Sequence, residues 1–260
     1  MIDSAWAPLA GAAVGLVVGL TGVGGGALMA PVLLLGFGLP LPVVVATDLL
    51  FATMTKIAAG AVHQRSGSVD WEIVRRLWVG SLPATLGVVL LVRSGFAFEH
   101  SGAITTLLGV LVFASGCAML LGGRLQARQT ARRLASPVDF KRFQREMTWS
   151  AGFGLGTLVT LTSVGAGALG VVILRALYPL RMTPARLVAT DTVHAIPVTL
   201  LGGVSLLLMG FTDLGLLGTL LLGSIPAALV GGWLANRVPS GALRAVLAVA
   251  LIGAGMRLAF

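Results

Sequence analysis

Residues 5–36 contain no charged side chain, and the middle of that run reads Thr21-Gly22-Val23-Gly24-Gly25-Gly26-Ala27-Leu28. As one straight helix the run would be about 48 Å long at 1.5 Å per residue, well beyond a hydrocarbon core of roughly 30 Å. Glycine weakens a helix and lets backbone bend, so this cluster marks a break. Irregular backbone at membrane depth is tolerated where protein or a cavity surrounds it. The run therefore predicts two helical arms meeting near residues 22–26, a hairpin that dips into the membrane and returns.

The pattern recurs as Thr162-Ser163-Val164-Gly165-Ala166-Gly167-Ala168-Leu169 inside a second apolar run, residues 149–178. Other matches follow in order. Ala46-Thr47-Asp48 corresponds to Ala189-Thr190-Asp191, 143 positions later, and the same offset pairs Gly60 with Gly203, Gly67 with Gly210 and Asp70 with Asp213. It also pairs Gly80-Ser81-Leu82-Pro83-Ala84 with Gly223-Ser224-Ile225-Pro226-Ala227, while the glycine clusters match at 141. The ordered set indicates an internal duplication, and a glycine-broken segment in each half points to a transporter's midplane site. After each broken run come three apolar helices, near residues 43–62, 77–92 and 104–122, then 185–209, 214–234 and 243–259. Residues 64–76 read as a polar connection, and Pro83 and Pro226 as matching kinks.

Only 10% of residues are charged and the mean hydropathy is +0.98, too little polar surface to cover a soluble globule. The net charge of +9 is concentrated: seven of 18 basic residues, Arg124, Arg128, Arg132, Arg133, Lys141, Arg142 and Arg145, lie in one segment between the halves. That segment reads as a cytoplasmic loop meeting lipid headgroups, with no nucleic-acid motif in the chain. The single Cys117 cannot form an internal disulfide, and residues 1–4 lack a basic leader and read as part of the mature protein.

Arginine placement decides the orientation. If each broken run crossed once, Arg93, Arg175, Arg181, Arg186, Arg237 and Arg244 would all face outward opposite the linker. If each is re-entrant, only Arg93 and Arg257 do, and the halves are inverted. The expectation is an all-α integral membrane protein of two inverted repeats, each a glycine-broken re-entrant hairpin plus three transmembrane helices. Residues 1–123 form the first repeat, 124–147 a basic cytoplasmic linker and 148–260 the second repeat.

A helix restarting after such a break leaves N–H groups unpaired at its positive end, a setting that suits an anion. Candidate substrate-binding residues are Thr21, Gly22, Gly24, Gly25 and Gly26, with Thr162, Ser163, Gly165 and Gly167 from the second copy. Lys56 would add positive charge, although its closeness to a helix end favours snorkelling toward Arg65. Thr47, Asp48, Thr190, Asp191 and His194 form a second group. The two acids either accept N–H bonds from the glycine turns, hold a coupling cation or carry a proton. His194 follows Asp191 by three residues, which suits a proton relay, or is simply satisfied by a neighbour. It aligns with Phe51, and Lys56 with Thr199, so each half adds a different polar group to a shared frame.

The segments Gly-Leu-Thr-Gly-Val-Gly-Gly-Gly-Ala-Leu-Met-Ala-Pro at 19–31, Ala-Thr-Asp at 46–48, its echo at 189–191 and Gly-Ser-Leu-Pro at 80–83 resemble the TauE/SafE sulfite exporter family of membrane transporters. The resemblance covers nearly the whole chain. It implies a multi-pass secondary transporter of the bacterial inner membrane that moves sulfite, sulfoacetate or another organosulfonate. The second copy is one glycine poorer at Ala166. A phosphate-binding loop is missing, so ion-gradient coupling, with a proton as first choice, is expected over ATP hydrolysis. An anion channel is the alternative, and an intramembrane hydrolase built on Ser163 and His194 a weaker one. Lipid and a small anion are the expected partners, a homo-oligomer is left open, and neither metal nor cofactor is called for.

Overall fold

The computed structural model describes residues 6–21, 26–65, 67–95, 101–135, 137–164, 167–234 and 240–259. These form an all-α chain: α1 (Ala7–Thr21), α2 (Gly26–Pro31, continued by a π-helical turn at Val32–Gly36), α3 (Leu41–Arg65), α4 (Trp71–Arg93), α5 (Ser101–Ala135), α6 (Pro137–Thr162), α7 (Ala168–Leu177), α8 (Pro184–Leu208), α9 (Leu214–Leu234) and α10 (Ser240–Ala259). Among the described residues, five stretches are long and apolar enough to cross a membrane: Leu41–Ala59, Trp71–Arg93, Ser101–Leu120, Ala185–Leu208 and Leu214–Gly231.

Local chemistry sets the ends. Asp70 caps α4 by accepting the Ile73 N–H, and Asp213 caps α9 by accepting the N–H groups of Gly215 and Leu216 at 2.8 and 3.1 Å. Thr183 caps α8, where Pro184 takes the first helical position. The polar connection expected over residues 64–76 is correspondingly shorter. The basic segment differs more: α5 runs through it to Ala135 and α6 restarts at Pro137, so its backbone is helical rather than a loop. Arginine and lysine are good helix formers, and such a segment has no need to stop where the membrane does.

Helices pack mainly across the two halves, α1 with α9, α6 with α4, α3 with α8 and α5 with α10. Along α1 and α9, Gly11 faces Leu220 and Gly15 faces Ser224. Along α6 and α4, Gly152 faces Leu77 and Gly156 faces Ser81. In each case a Cβ on the glycine would overlap the opposing carbonyl oxygen. Numbers rise together along both pairs, so each pair is parallel. The second set sits where the first is carried by the duplication, so one backbone-to-backbone interface occurs twice. Close approach of this kind is how small residues join helices in lipid, where apolar burial alone gives no driving force. The α3 and α8 pair is antiparallel instead: Gly203 packs on Leu50, and Thr53 meets Thr199.

One end of the molecule is tied by charge. Arg181, before α8, makes two bonds to Asp70 at 2.8 and 3.0 Å and reaches Glu72 at 2.6 Å. Arg76 pairs with Glu72 and approaches the Tyr178 hydroxyl, which lies 2.8 Å from Thr148 of α6. The Glu72 hydrogen bond, outweighing the cost of partial burial, pushes the Arg181 guanidinium further above its usual range. The α3–α4 turn, the α7–α8 turn and α6 near Thr148 thus share one end. Leu86, Leu90 and Leu91 of α4 and Leu222, Leu229 and Trp233 of α9 are exposed on long apolar helices, a surface suited to lipid.

Candidate functional site

Where α3 and α8 cross, the interior is polar. Thr47, Asp48, Thr53 and Lys56 of α3 and Thr190, Asp191, His194 and Thr199 of α8 are all buried, Lys56 with 3% of its surface accessible. Thr53 and Thr199 hydroxyls lie 2.9 Å apart, joining the helices. Lys56 is within electrostatic reach of Asp48, Asp191 and His194. It does not snorkel as its position near a helix end suggested, because the face it occupies turns toward α8 and not outward.

Five buried polar atoms here lack a hydrogen-bond partner among the described residues: Thr47 Oγ1, Asp48 Oδ1, Lys56 Nζ, Asp191 Oδ1 and His194 Nδ1. Each such group costs about 1–3 kcal/mol unless a ligand, an ion, a proton or water satisfies it. The cluster is the arrangement expected of groups that await a ligand or a proton.

The second broken segment approaches this cluster from α6 and α7. Ser163 donates a hydrogen bond to Asp48 Oδ2. Ser163 is held at φ 56°, a left-handed conformation disfavoured for a non-glycine residue and found where surrounding structure imposes it. Asp191 lies against the first turn of α7: a Cβ on Gly170 would overlap its Oδ1, and the Gly167 N–H is directed toward it. Asp191 therefore sits at the positive end of α7. Thr162 turns back on its own chain, donating to Leu158 O at 2.7 Å and accepting from Val164 N at 3.2 Å. Thr190 accepts the Asp70 N–H at 3.1 Å, tying α8 to the start of α4. Gly22, Gly24, Gly25 and Gly165 lie outside the described residues, as does the side chain of Thr21, which closes α1, while Gly26 opens α2.

Of the two readings open for His194, a relay with Asp191 or a ring satisfied by a neighbour, its contacts match the second. Its Nε2 lies 3.0 Å from Ser81 Oγ of α4, and its backbone carbonyl accepts from Trp78 Nε1 at 3.0 Å. The Gly-Ser-Leu-Pro segment was legible as a repeat marker, but nothing in its spacing indicated that Ser81 would face a histidine more than a hundred residues away.

A family model described as Sulfite exporter TauE/SafE matches residues 7–258. The chain is 31% identical to the "Probable membrane transporter protein YjnA" of Bacillus subtilis over 79% of its own length and 80% of the relative's. It is 37% identical to the "Probable membrane transporter protein YunE" of the same organism over 26% of each chain. No solved structure matches significantly.

Proposed function

Since the chain belongs to the TauE/SafE sulfite exporter family, we propose that it is a secondary carrier which moves a small sulfur-containing anion across the bacterial inner membrane by alternating access. Sulfite, sulfoacetate and other organosulfonates are the substrates this reading favours. The family's proteins are non-enzymatic transporters. Consistent with that, Ser163 and His194 are not paired with each other: Ser163 is bonded to Asp48 and His194 to Ser81.

The cluster of unpartnered polar atoms on α3 and α8 carries the proposal. Lys56 supplies the positive charge, and Thr21, Thr162, Ser163 and the glycines of the two clusters are the further substrate-binding groups this reading assigns. Asp48 and Asp191 are the groups through which a proton would be coupled, since an anion could occupy a site holding two ionised carboxylates only against their repulsion.

Two inverted repeats, 1–123 and 148–260, joined by the basic segment 124–147 on the cytoplasmic side, are the architecture we attach to this function. Antiparallel packing of α3 against its counterpart α8, and of α5 against α10, supports it. So does the pair of equivalent parallel interfaces. If α1 runs parallel to α9, α9 opposite to α8, and α8 opposite to α3, then α1 and α3 share a direction and the chain must return between them, as a re-entrant hairpin does.

Counterflow in proteoliposomes tests carriage. Preloading with unlabelled sulfite should accelerate entry of labelled sulfite and produce a transient overshoot, with sulfoacetate, thiosulfate and sulfate compared as competing loads. Entry that neither saturates nor responds to trans substrate would replace the carrier with a channel.

A further inference from the structure

Ser81 and Ser224 occupy matching positions on α4 and α9 and are fully buried, yet they use their single hydroxyl proton differently. Ser224 turns toward its own helix and donates to Leu221 O at 3.5 Å. Other buried helix hydroxyls here do likewise: Ser115, Thr160 and Thr199 each donate to a carbonyl one turn back. For Ser81 the only hydrogen-bond partner among the described residues is His194 Nε2, at 3.0 Å.

Counting orphaned polar atoms favours one direction for this bond. If Nε2–H donated to Ser81, the serine proton would be left buried without an acceptor. If Ser81 donates, Ser81 and Nε2 are both satisfied, Nε2 is the unprotonated ring nitrogen, and one orphaned atom is left in place of two. A neutral His194 then carries its proton on Nδ1, which is buried and has no acceptor. Trp78 donates to the His194 carbonyl from one turn earlier on α4, so ring and backbone are gripped by one helix.

The duplicated frame has no need of a polar group at this point, because the equivalent of His194 in the first half is Phe51, fully buried. Nδ1–H therefore joins the Lys56 ammonium as a second buried donor without an acceptor. The carboxylates near them are turned to other contacts: Asp48 accepts from Ser163, and Asp191 lies against Gly170.

We propose that Ser81 is a positioning residue which holds His194 in the Nδ1-protonated form, so that Nδ1–H and Lys56 Nζ together receive the oxygens of a small oxyanion or sulfonate. The assignment rests on the anion-carrier reading for its ligand, but not for its tautomer. Two hydrogen-bond donors, one of them charged, suit a tetrahedral or pyramidal sulfur oxyanion presenting two oxygens.

Sulfite transport and ring nitrogen-15 spectra of the full-length protein test the two parts separately. Asparagine places its amide nitrogen near the Nδ1 position, whereas glutamine reaches toward Ser81 and leaves Nδ1's place without a donor. His194→Asn should keep KM within about fivefold, and His194→Gln should raise it at least about thirtyfold, a charge-assisted bond being the stronger kind lost. Ser81→Ala should raise KM about tenfold with maximal rate little changed, and Ser81→Thr should restore it. In wild-type protein the His194 signal, identified by its loss in His194→Gln, should show a protonated Nδ1 and an unprotonated Nε2. A protonated Nε2, or equal KM values for the asparagine and glutamine variants, would overturn the proposal. Correct tautomer spectra from a protein that carries none of the sulfur anions would instead overturn the anion-carrier reading, and with it the ligand assigned here.

Discussion

Lys56→Met is expected to lower sulfite uptake by about a hundredfold while leaving insertion and purified yield close to wild type. Removing one member of a desolvated charge-assisted contact costs roughly 2–5 kcal/mol, and about 3 kcal/mol corresponds to that factor. Methionine keeps most of the side-chain volume, so packing between α3 and α8 is retained. Folding should be little affected, because the ammonium makes no hydrogen bond among the described residues and a buried carboxylate that loses its cation neutralises by binding a proton. Initial rates over a range of sulfite concentrations, together with size-exclusion profiles, check both halves of this expectation. Uptake within threefold of wild type would remove Lys56 from the substrate site.

Gly80→Leu and Gly223→Leu should have the opposite character, destroying the fold and not the chemistry. A Cβ at Gly80 would overlap the Trp149 carbonyl oxygen of α6, and one at Gly223 the Pro8 carbonyl oxygen of α1. Because backbone lies on the far side, neither clash can be relieved by turning a side chain. Each substitution should cost about 3 kcal/mol or more, at or beyond the upper end of ordinary overpacking, and the two should suffer alike because they occupy equivalent interfaces. Gly87 of α4 and Gly218 of α9 have open space within 4 Å, so leucine there is the matched control and should be tolerated. The fraction of monodisperse protein in detergent and its thermal midpoint report the difference. Equal stability of Gly80→Leu and Gly87→Leu would mean that the helices do not approach as closely as described.

Much of this molecule is legible from its residues, and the part that is not has a common cause. Hydropathy and length identify the crossing helices, because the bilayer imposes both. Ordered matches such as Asp48 with Asp191 and Gly80 with Gly223 expose the duplication. Thr47, Asp48, Lys56, Asp191 and His194 are legible for another reason, since ionisable or polar groups inside apolar helices stand out. What a helix faces is another matter. Lys56 lies near enough to a helix end to snorkel, and only the rotation of α3 against α8 decides that it does not. Gly11, Gly15, Gly152 and Gly156 look like any small residues in an apolar run until their opposite backbones are seen. Ser81 meets His194, and Arg181 meets Asp70, across more than a hundred residues, contacts that follow from tertiary packing and leave no mark on local spacing.

Labelling from a known side tests most directly the proposed frame of two inverted halves around one buried site. With Cys117 replaced by alanine, single cysteines would be introduced as Ser68→Cys in the α3–α4 turn and Thr212→Cys in the α8–α9 turn, avoiding the positive-φ Gly67 and Gly210. In intact cells a membrane-impermeant maleimide should modify position 212 and spare position 68, and in inside-out vesicles the pattern should reverse. Modification of both positions from the same side would contradict the inverted frame.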